Sequence, residues 1–188
     1  KIVDVGLNEI NGGSIEIVCA RVESKIKAKH GKIRKLLNDE RKINLNSFKN
    51  FNKRINYTKK SIINFINKNS DKEIIGYGAS TKGNVVLNHC KINNIQIKKI
   101  CDGNKKKIGS YTPGTNIKII SKRQMRKEKP DYLWVLIWSF RNEVIQQELK
   151  FIRQGGKLLF HLPMFHIIDK NNYKNFINSD FETFSYKI

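Results

Sequence analysis

The spacing between apolar residues changes along the chain, and each change predicts a different kind of element. Two short apolar runs, at residues 2–5 and 14–20, flank the turn signal INGG and predict a pair of strands. From residue 21 to about residue 68, apolar residues recur at intervals of three and four, which predicts two amphipathic helices or one broken helix. We expect the apolar faces of these basic helices to pack against a neighbouring sheet.

From Asp71 onward, apolar strands alternate with helical stretches. The predicted strands are 72–77, 95–102, 117–120, 131–138 and 157–163, and the predicted helices are 80–91, 121–129 and 141–154. The run at 131–138 is almost wholly apolar, which is typical of a strand buried on both faces of a parallel sheet. The alternation predicts an α/β fold with a doubly wound, mainly parallel sheet, preceded by a strand hairpin and basic amphipathic helices.

Composition excludes several classes of protein. The chain has 188 residues, of which 39% are hydrophobic, enough for one ordinary α/β core. No apolar run approaches the roughly 20 residues that cross a bilayer, and no N-terminal segment has the order of a signal peptide. We therefore expect no membrane partner. Because the chain starts on Lys1 and not on Met, we expect a piece of a longer protein.

The three cysteines are too few and too scattered for a disulfide framework. Cys19, Cys90 and Cys101 each lie in or beside an apolar run, and no pair has the spacing of metal ligands. We expect buried free thiols, no metal site and a reducing, cytoplasmic location.

The formal net charge of +21 raises the question of nucleic-acid binding, since a basic stripe is typical of nucleic-acid-binding proteins. Lysines, however, are spread through every segment and greatly outnumber arginines, whereas specific contacts to bases favour arginine. This pattern favours a solvated basic surface and no specific nucleic-acid partner. A basic nucleic-acid-binding module without enzymatic activity remains the alternative.

The stretch IIGYGASTKGN, residues 74–84, has the composition of a phosphate cradle. A strand would lead into Gly78, and a helix would begin near Ser80, so backbone N–H groups and the positive end of the helix dipole would meet. Lys82 would add a positive charge. Asp102 ends the next predicted strand, where doubly wound folds place an acid that binds a ribose hydroxyl. A tight turn without ligand is the alternative interpretation.

The spacing of the glycines disfavours two familiar nucleotide sites. In the dinucleotide pattern G-x-G-x-x-G the third glycine would come two positions before Gly83. In the pattern G-x-x-x-x-G-K-[ST], a lysine would occupy the position of Asn84. A fragment of an NAD(P)-dependent oxidoreductase is therefore a weaker alternative.

Several stretches together resemble one family. GYGASTKGNVVLNHCKI, CDGNKKKIGSYTPGTNIKII, PDYLWVLIWSFRNEVIQQELKFIRQGGKLLFHLP and the early NGGSIEI resemble, in this order, the C-terminal region of S-adenosylmethionine-dependent nucleotide-sugar C-methyltransferases. The typical members are 3-C-methyltransferases of deoxysugar biosynthesis, which act on nucleoside-diphosphate keto-deoxysugars. The resemblance runs from about residue 4 to residue 168.

The resemblance implies a division of the chain into four parts. These are a remnant strand hairpin of an upstream methyltransferase domain at 1–21, a helical connector at 22–70, a Rossmann-like C-terminal domain at 71–168 and a polar tail at 169–188. We expect the tail to pack loosely. We also expect the hairpin to self-associate, because its sheet would be absent, and docking of the hairpin on the basic helices is the alternative. The S-adenosylmethionine site and the catalytic base would lie upstream, so we expect no cofactor in this chain and no catalysis by it alone.

Pattern and resemblance together imply a substrate site for a nucleoside-diphosphate sugar. The residues that we expect to bind it are Gly78, Ala79, Ser80, Lys82, Asn84, Asp102, Tyr111, Pro113, Gly114, Thr115 and Trp138. Tyr111 could stack on a base or sugar, or anchor its loop. His161 and His166, near the end of the last predicted strand, are weaker candidates.

Overall fold

The computed structural model describes residues 1–8, 10–177 and 179. Contacts divide the chain into two compact units, Lys1–Ile55 and Asn56–Ile188, and each is described by itself. The four-part division given above remains a prediction. No helix in the described ranges is long and apolar enough to cross a membrane.

The first unit contains the predicted hairpin. Strands β1 (Ile2–Asn8) and β2 (Ser14–Cys19) pair antiparallel around a short 3-10 turn, and α1 (His30–Glu40) packs on β1. Val3 and Val5 are buried, and the carbonyl of Val3 accepts a hydrogen bond from the amide of Lys29 at 2.7 Å. The Lys29 ammonium also pairs with Asp4 at 2.6 Å. One face of β1 is thus covered within the unit.

The basic stretch forms two helices. After α1, helix α2 (Leu45–Lys68) passes from the first unit into the second. Asn44 begins α2, because its side-chain oxygen accepts hydrogen bonds from the amides of Asn46 and Ser47. Ile62 and Ile66, in the last turns of α2, are buried in the core of the second unit.

The described part of the second unit contains a six-stranded sheet in the order β5-β4-β3-β6-β7-β8. Its strands are β3 (Ile74–Tyr77), β4 (Lys99–Asp102), β5 (Lys118–Ser121), β6 (Tyr132–Val135), β7 (Lys157–Phe160) and β8 (His166–Ile168). All pairs are parallel except β7 with β8. The predicted α/β class with a doubly wound, mainly parallel sheet is confirmed.

Helices cover both faces of the sheet. They are α3 (Thr81–Cys90), α4 (Lys122–Glu128), α5 (Arg141–Gln147), α6 (Leu149–Arg153) and α7 (Tyr173–Phe176). Alternate strand residues separate into two cores, one shared with α2 and α3 and the other with α4 to α7. Trp134 belongs to the first core and Val135 to the second, as the two-residue period of a strand requires.

Several predicted bounds were wrong. The strand predicted to end at Trp138 ends at Val135, and Trp138 lies in a 3-10 turn, Trp138–Phe140. The strand predicted to end at Pro163 ends at Phe160 and is followed by β8, which was not predicted. The helix predicted over 141–154 is divided at Glu148.

The prediction that all three cysteines are buried needs correction. Cys90 and Cys101 are buried, and burial raises the pKa of Cys101 to about 12, but Cys19 is exposed on β2.

The prediction of a loosely packed tail also needs correction. The start of the tail packs on the sheet, because Tyr173 is buried and the Arg141 guanidinium donates to the carbonyl of Ser179 at 2.6 Å. Residues 178 and 180–188 lie outside the described residues.

Candidate functional site

The carboxyl ends of β3 and β6 mark the point where the order of the sheet reverses. From β3 the chain runs through α3 to β4 on one side, whereas β6 lies on the other side of β3. In open α/β sheets the crevice at this point is the usual ligand site. The stretch IIGYGASTKGN supplies β3, the turn and the start of α3, so it lies at this edge.

Glycines allow the turn to pass close to the neighbouring strand. Gly78 has φ of +92°, a left-handed conformation that favours glycine, and a Cβ there would lie 2.6 Å from a side-chain carbon of Ile137. A Cβ on Gly83 would lie 2.9 Å from the Cβ of Leu136. Packing alone therefore favours glycine at both positions.

Ser80 caps α3. Its hydroxyl accepts a hydrogen bond from the amide of Gly83 at 3.0 Å, and the helix begins near Ser80, as the sequence predicted. Lys82 is exposed on the first turn of the helix. Lys82 thus lies on the same turn as the positive end of the helix dipole, and a helix N-terminus with a nearby cation attracts anions.

Asp102 holds the glycine turn in place. One of its carboxylate oxygens accepts a hydrogen bond from the amide of Ala79 at 2.9 Å, and the other accepts one from the amide of Asn104 at 2.7 Å. The Ala79 amide therefore already has an acceptor. The sequence suggested that Asp102 binds a ribose hydroxyl, and that contact stays a prediction.

Lys107 also lies at the glycine turn, although the sequence did not single it out. Its ammonium donates to the carbonyl of Ala79 at 2.8 Å and lies 3.6 Å from an Asp102 oxygen. Its side chain remains 42% exposed at the turn. The lysine run 105–107, which begins three positions after the last residue of β4, was the signal that could have identified it.

The loop predicted to contact the ligand is held mainly by its own threonines. Thr112 and Thr115 are buried, and their hydroxyl oxygens are 2.6 Å apart. Gly114 has φ of +76° and lies against Asn88 of α3, which donates to the carbonyl of Pro113 at 3.2 Å. Tyr111 is exposed and available for stacking. Ligand contacts from this loop stay a prediction, as does the contact from half-buried Trp138.

His161 is fully buried directly after β7. Its Nδ1 accepts a hydrogen bond from the indole N–H of Trp134 at 3.2 Å. Burial, with a smaller effect from His166, lowers the pKa of His161 to about 4. The imidazole is therefore neutral near pH 7. His166 is sandwiched between Phe160 and Phe176, and burial lowers its pKa as well.

A cleft of about 830 Å³ lies away from the glycine turn. It is lined by Arg126, Lys129, Pro130, Asp131, Gln147, Glu148, Lys150, Phe151, Gln154, Gly155 and Gly156. Asp131 precedes β6 and Gly156 precedes β7, which places the cleft at the amino ends of these strands. The glycine turn and the start of α3 lie instead at the carboxyl edge of the sheet.

Comparison with known proteins identifies relatives that share most of this chain. A family model described as C-methyltransferase C-terminal domain matches residues 9–163. The C-methyltransferase NovU of Streptomyces niveus is 27% identical over 169 residues, which are 87% of this chain and 40% of that protein. The chain therefore spans less than half the length of that relative.

A solved structure shows a more distant likeness. The crystal structure of UDP-D-quinovosamine 4-dehydrogenase from Vibrio fischeri matches with a TM-score of 0.34 and 19% identity. The match covers 55% of this chain and 84% of that one. A likeness this distant carries no argument about function.

Proposed function

Because the chain belongs to the family of C-methyltransferase C-terminal domains, we propose that it is the part of a sugar C-methyltransferase that holds a nucleoside-diphosphate sugar. The observation that supports this most is the convergence of Gly78, the capped start of α3 and two lysines at one edge of the sheet. Backbone N–H groups, a helix N-terminus and cations are the groups that bind a diphosphate.

The proposal divides the site into direct and supporting residues. Lys82 and Lys107 contact the diphosphate, and the amides at the start of α3 donate to it. Asp102 acts indirectly, because both of its oxygens already hold backbone amides of the turn and the following loop. Tyr111 stacks on the base or the sugar from its exposed position.

S-adenosylmethionine would supply the methyl group in the whole enzyme. It is cationic at sulfur and has no phosphate, so it does not fit an edge that carries Lys82 and Lys107. We therefore propose that its site lies outside this chain and that the chain alone does not transfer methyl groups. A cytoplasmic location also remains our prediction.

Isothermal titration calorimetry of the 188-residue chain tests the proposal. We expect UDP-glucose or dTDP-glucose to bind, and S-adenosylmethionine not to bind. Binding of S-adenosylmethionine without binding of either nucleotide sugar would exclude the proposed role.

Lys82→Ala then tests the position of the site. Loss of a charge-assisted bond to the diphosphate should weaken binding by roughly 1.5–3 kcal/mol. The matched control is Lys127→Ala, which removes an exposed lysine from the last turn of α4 and should leave binding unchanged. If the two variants bind the nucleotide sugar with equal affinity, Lys82 does not contact the diphosphate and is an ordinary surface lysine.

The nucleic-acid alternative makes a different prediction. A charge of +21 by itself should retain duplex DNA at low salt and release it steeply as salt rises. Tight, sequence-selective binding at physiological salt would instead favour the alternative.

A further inference from the structure

The proton of the neutral His161 imidazole can be assigned from its partner. An indole N–H is a donor only, so the Nδ1 that receives it from Trp134 at 3.2 Å carries no proton. The proton of the neutral ring is therefore on Nε2. This Nε2–H is buried and has no hydrogen-bond acceptor among the described residues.

A buried acceptor lies at the same edge of the sheet. The side-chain oxygen of Asn84, in the first turn of α3, is buried and has no donor within the described ranges. Buried polar groups are normally paired, and leaving one unpaired is costly. This edge of the sheet thus holds one buried donor and one buried acceptor, and a ligand or a water molecule could pair with both.

Both groups lie on the α3 side of the sheet, close to the glycine turn. Phe160 pairs with Val135, so continuing this register places His161 beside Leu136. Leu136 lies against Gly83, where a Cβ would be 2.9 Å from the Cβ of Leu136, and Asn84 follows Gly83. Adjacent strands are about 4.8 Å apart. His161 is therefore separated by one strand spacing from Leu136, the residue that packs against the start of α3.

We propose that His161 and Asn84 form a subsite for the hydroxyl groups of the sugar, with Nε2–H of His161 donating to a hydroxyl oxygen and the Asn84 oxygen accepting a hydroxyl hydrogen. The inference rests on the proposed function and adds a specificity site to it. A phosphate oxygen could accept from His161 but could not donate to Asn84, whereas sugar hydroxyls do both. Trp134 acts as a positioning residue, because its bond selects the tautomer.

Nuclear magnetic resonance of the full chain tests the subsite without any substitution. The chain, with isotope-labelled histidine, is titrated with UDP and UDP-glucose, and in parallel with dTDP and dTDP-glucose, while calorimetry measures saturation. We expect the Nε2 proton signal of His161 to shift with the nucleotide sugar and not with the nucleotide. An equal shift with the nucleotide alone would overturn the inference in favour of base or phosphate binding.

Variants give the second measurement. Asn84→Ala should weaken UDP-glucose or dTDP-glucose binding roughly three- to tenfold, the loss expected for one hydrogen bond, and leave the affinity for the nucleotide within about twofold. His161→Gln, which keeps a donor, should retain more affinity for the sugar than His161→Phe. The control is His89→Gln, an exposed histidine of α3.

The outcomes separate the two proposals. If no nucleotide or nucleotide sugar binds, the proposed function fails and the subsite falls with it. If both bind but the His161 signal does not move and Asn84→Ala has no selective effect, the proposed function stands. In that case the two groups hold a structural water and the subsite is wrong.

Discussion

At the scale of single residues, charged and polar side chains at the carboxyl edge have structural partners as well as proposed ligands. Asp102 is 14% exposed, and its oxygens bind the amides of Ala79 and Asn104. His161 receives a hydrogen bond from Trp134. Because these side chains have partners within the protein, substituting them should change the free energy of unfolding. This change can be measured separately from the change in ligand affinity.

Asp102→Asn distinguishes support of the turn from contact with the ribose. The amide of asparagine has one oxygen and cannot accept both backbone bonds, so the free energy of unfolding should fall by about 1 kcal/mol. Removing a negative charge next to the diphosphate should strengthen UDP binding by roughly 0.5–1 kcal/mol. Urea unfolding and calorimetry give the two values.

Asp131→Asn is the matched control for this substitution. Its carboxylate also accepts a backbone amide, that of Glu73 at 2.9 Å, but it precedes β6 at the other end of the strand. Because Asp131 accepts one backbone amide, the oxygen of asparagine can keep that bond, so a smaller loss of stability and no change in UDP affinity are expected. Weaker UDP binding by Asp102→Asn would instead support the ribose contact.

The buried His161 should make stability depend on pH. Its pKa is about 4 in the folded chain and about 6.5 when unfolded. Between these values the unfolded state binds a proton that the folded state does not. The contribution of the neutral His161 to the free energy of unfolding is therefore fully present above pH 6.5. As the pH falls to 4, this free energy decreases by up to about 3 kcal/mol.

Urea unfolding of the wild-type chain and of His161→Gln at pH 7 and pH 5 isolates this contribution. The variant should lose less stability between the two pH values. The buried His166 has a lowered pKa too, and it is present in both proteins, so its effect cancels in the comparison. An identical pH dependence of both proteins would show that His161 does not carry the effect.

At the scale of elements, a buried carboxylate lies where a continuous helical pattern divides into α5 and α6. Glu148 lies between them with φ of −110° and is 1% exposed. Its carboxylate accepts hydrogen bonds from the Tyr77 hydroxyl at 2.9 Å and from Arg126 at 2.6 Å. Burial, followed by the charge of Glu148, raises the pKa of Tyr77, which keeps the phenol protonated as a donor.

A double-mutant cycle measures the coupling between Arg126 and Glu148. Arg126→Met leaves the buried carboxylate without its cation and should destabilise the chain by about 1–2 kcal/mol, less than a fully buried pair because Arg126 is 49% exposed. Glu148→Leu removes the other partner. The double variant should be more stable than the sum of the single losses predicts, as measured by urea unfolding, and strict additivity would contradict the coupling.

At the scale of the whole molecule, the two units differ in how well their apolar residues are covered. The sheet of the second unit has buried cores on both faces. In the first unit, β1 has a covered face, whereas Ile15, Ile17 and Val18 of β2 are 50%, 56% and 44% exposed. An apolar strand edge of this kind recruits other strands.

Ile17→Lys tests the predicted self-association through the hairpin. A charge in the middle of β2 should disfavour strand pairing between copies, so light scattering should give a lower mean mass than for the wild-type chain. The control Ile95→Lys makes the same change at a residue that is 81% exposed outside the strands. If the wild-type chain is already a monomer at high concentration, the self-association prediction is wrong.

Local patterns alone determined the α/β class and much of the element order. Alternating strands and helices from Asp71 onward imply a parallel sheet with helices on both faces, because crossover connections permit little else. The caps at Ser80 and Ser121 were also local, since a hydroxyl reaches an amide three residues further along. Family membership followed from stretches such as YTPGT that are contiguous in the chain.

Tertiary structure alone decided what the polar residues contact. Asp102 meets Ala79 across 23 positions, and Glu148 meets Tyr77 across 71, distances over which apolar spacing carries no information. The tautomer of His161 depends on such a contact, with Trp134 across 27 positions. Apolar periodicity reports which face of an element is buried, but the partner of a buried polar atom is chosen by packing between elements that are far apart in sequence.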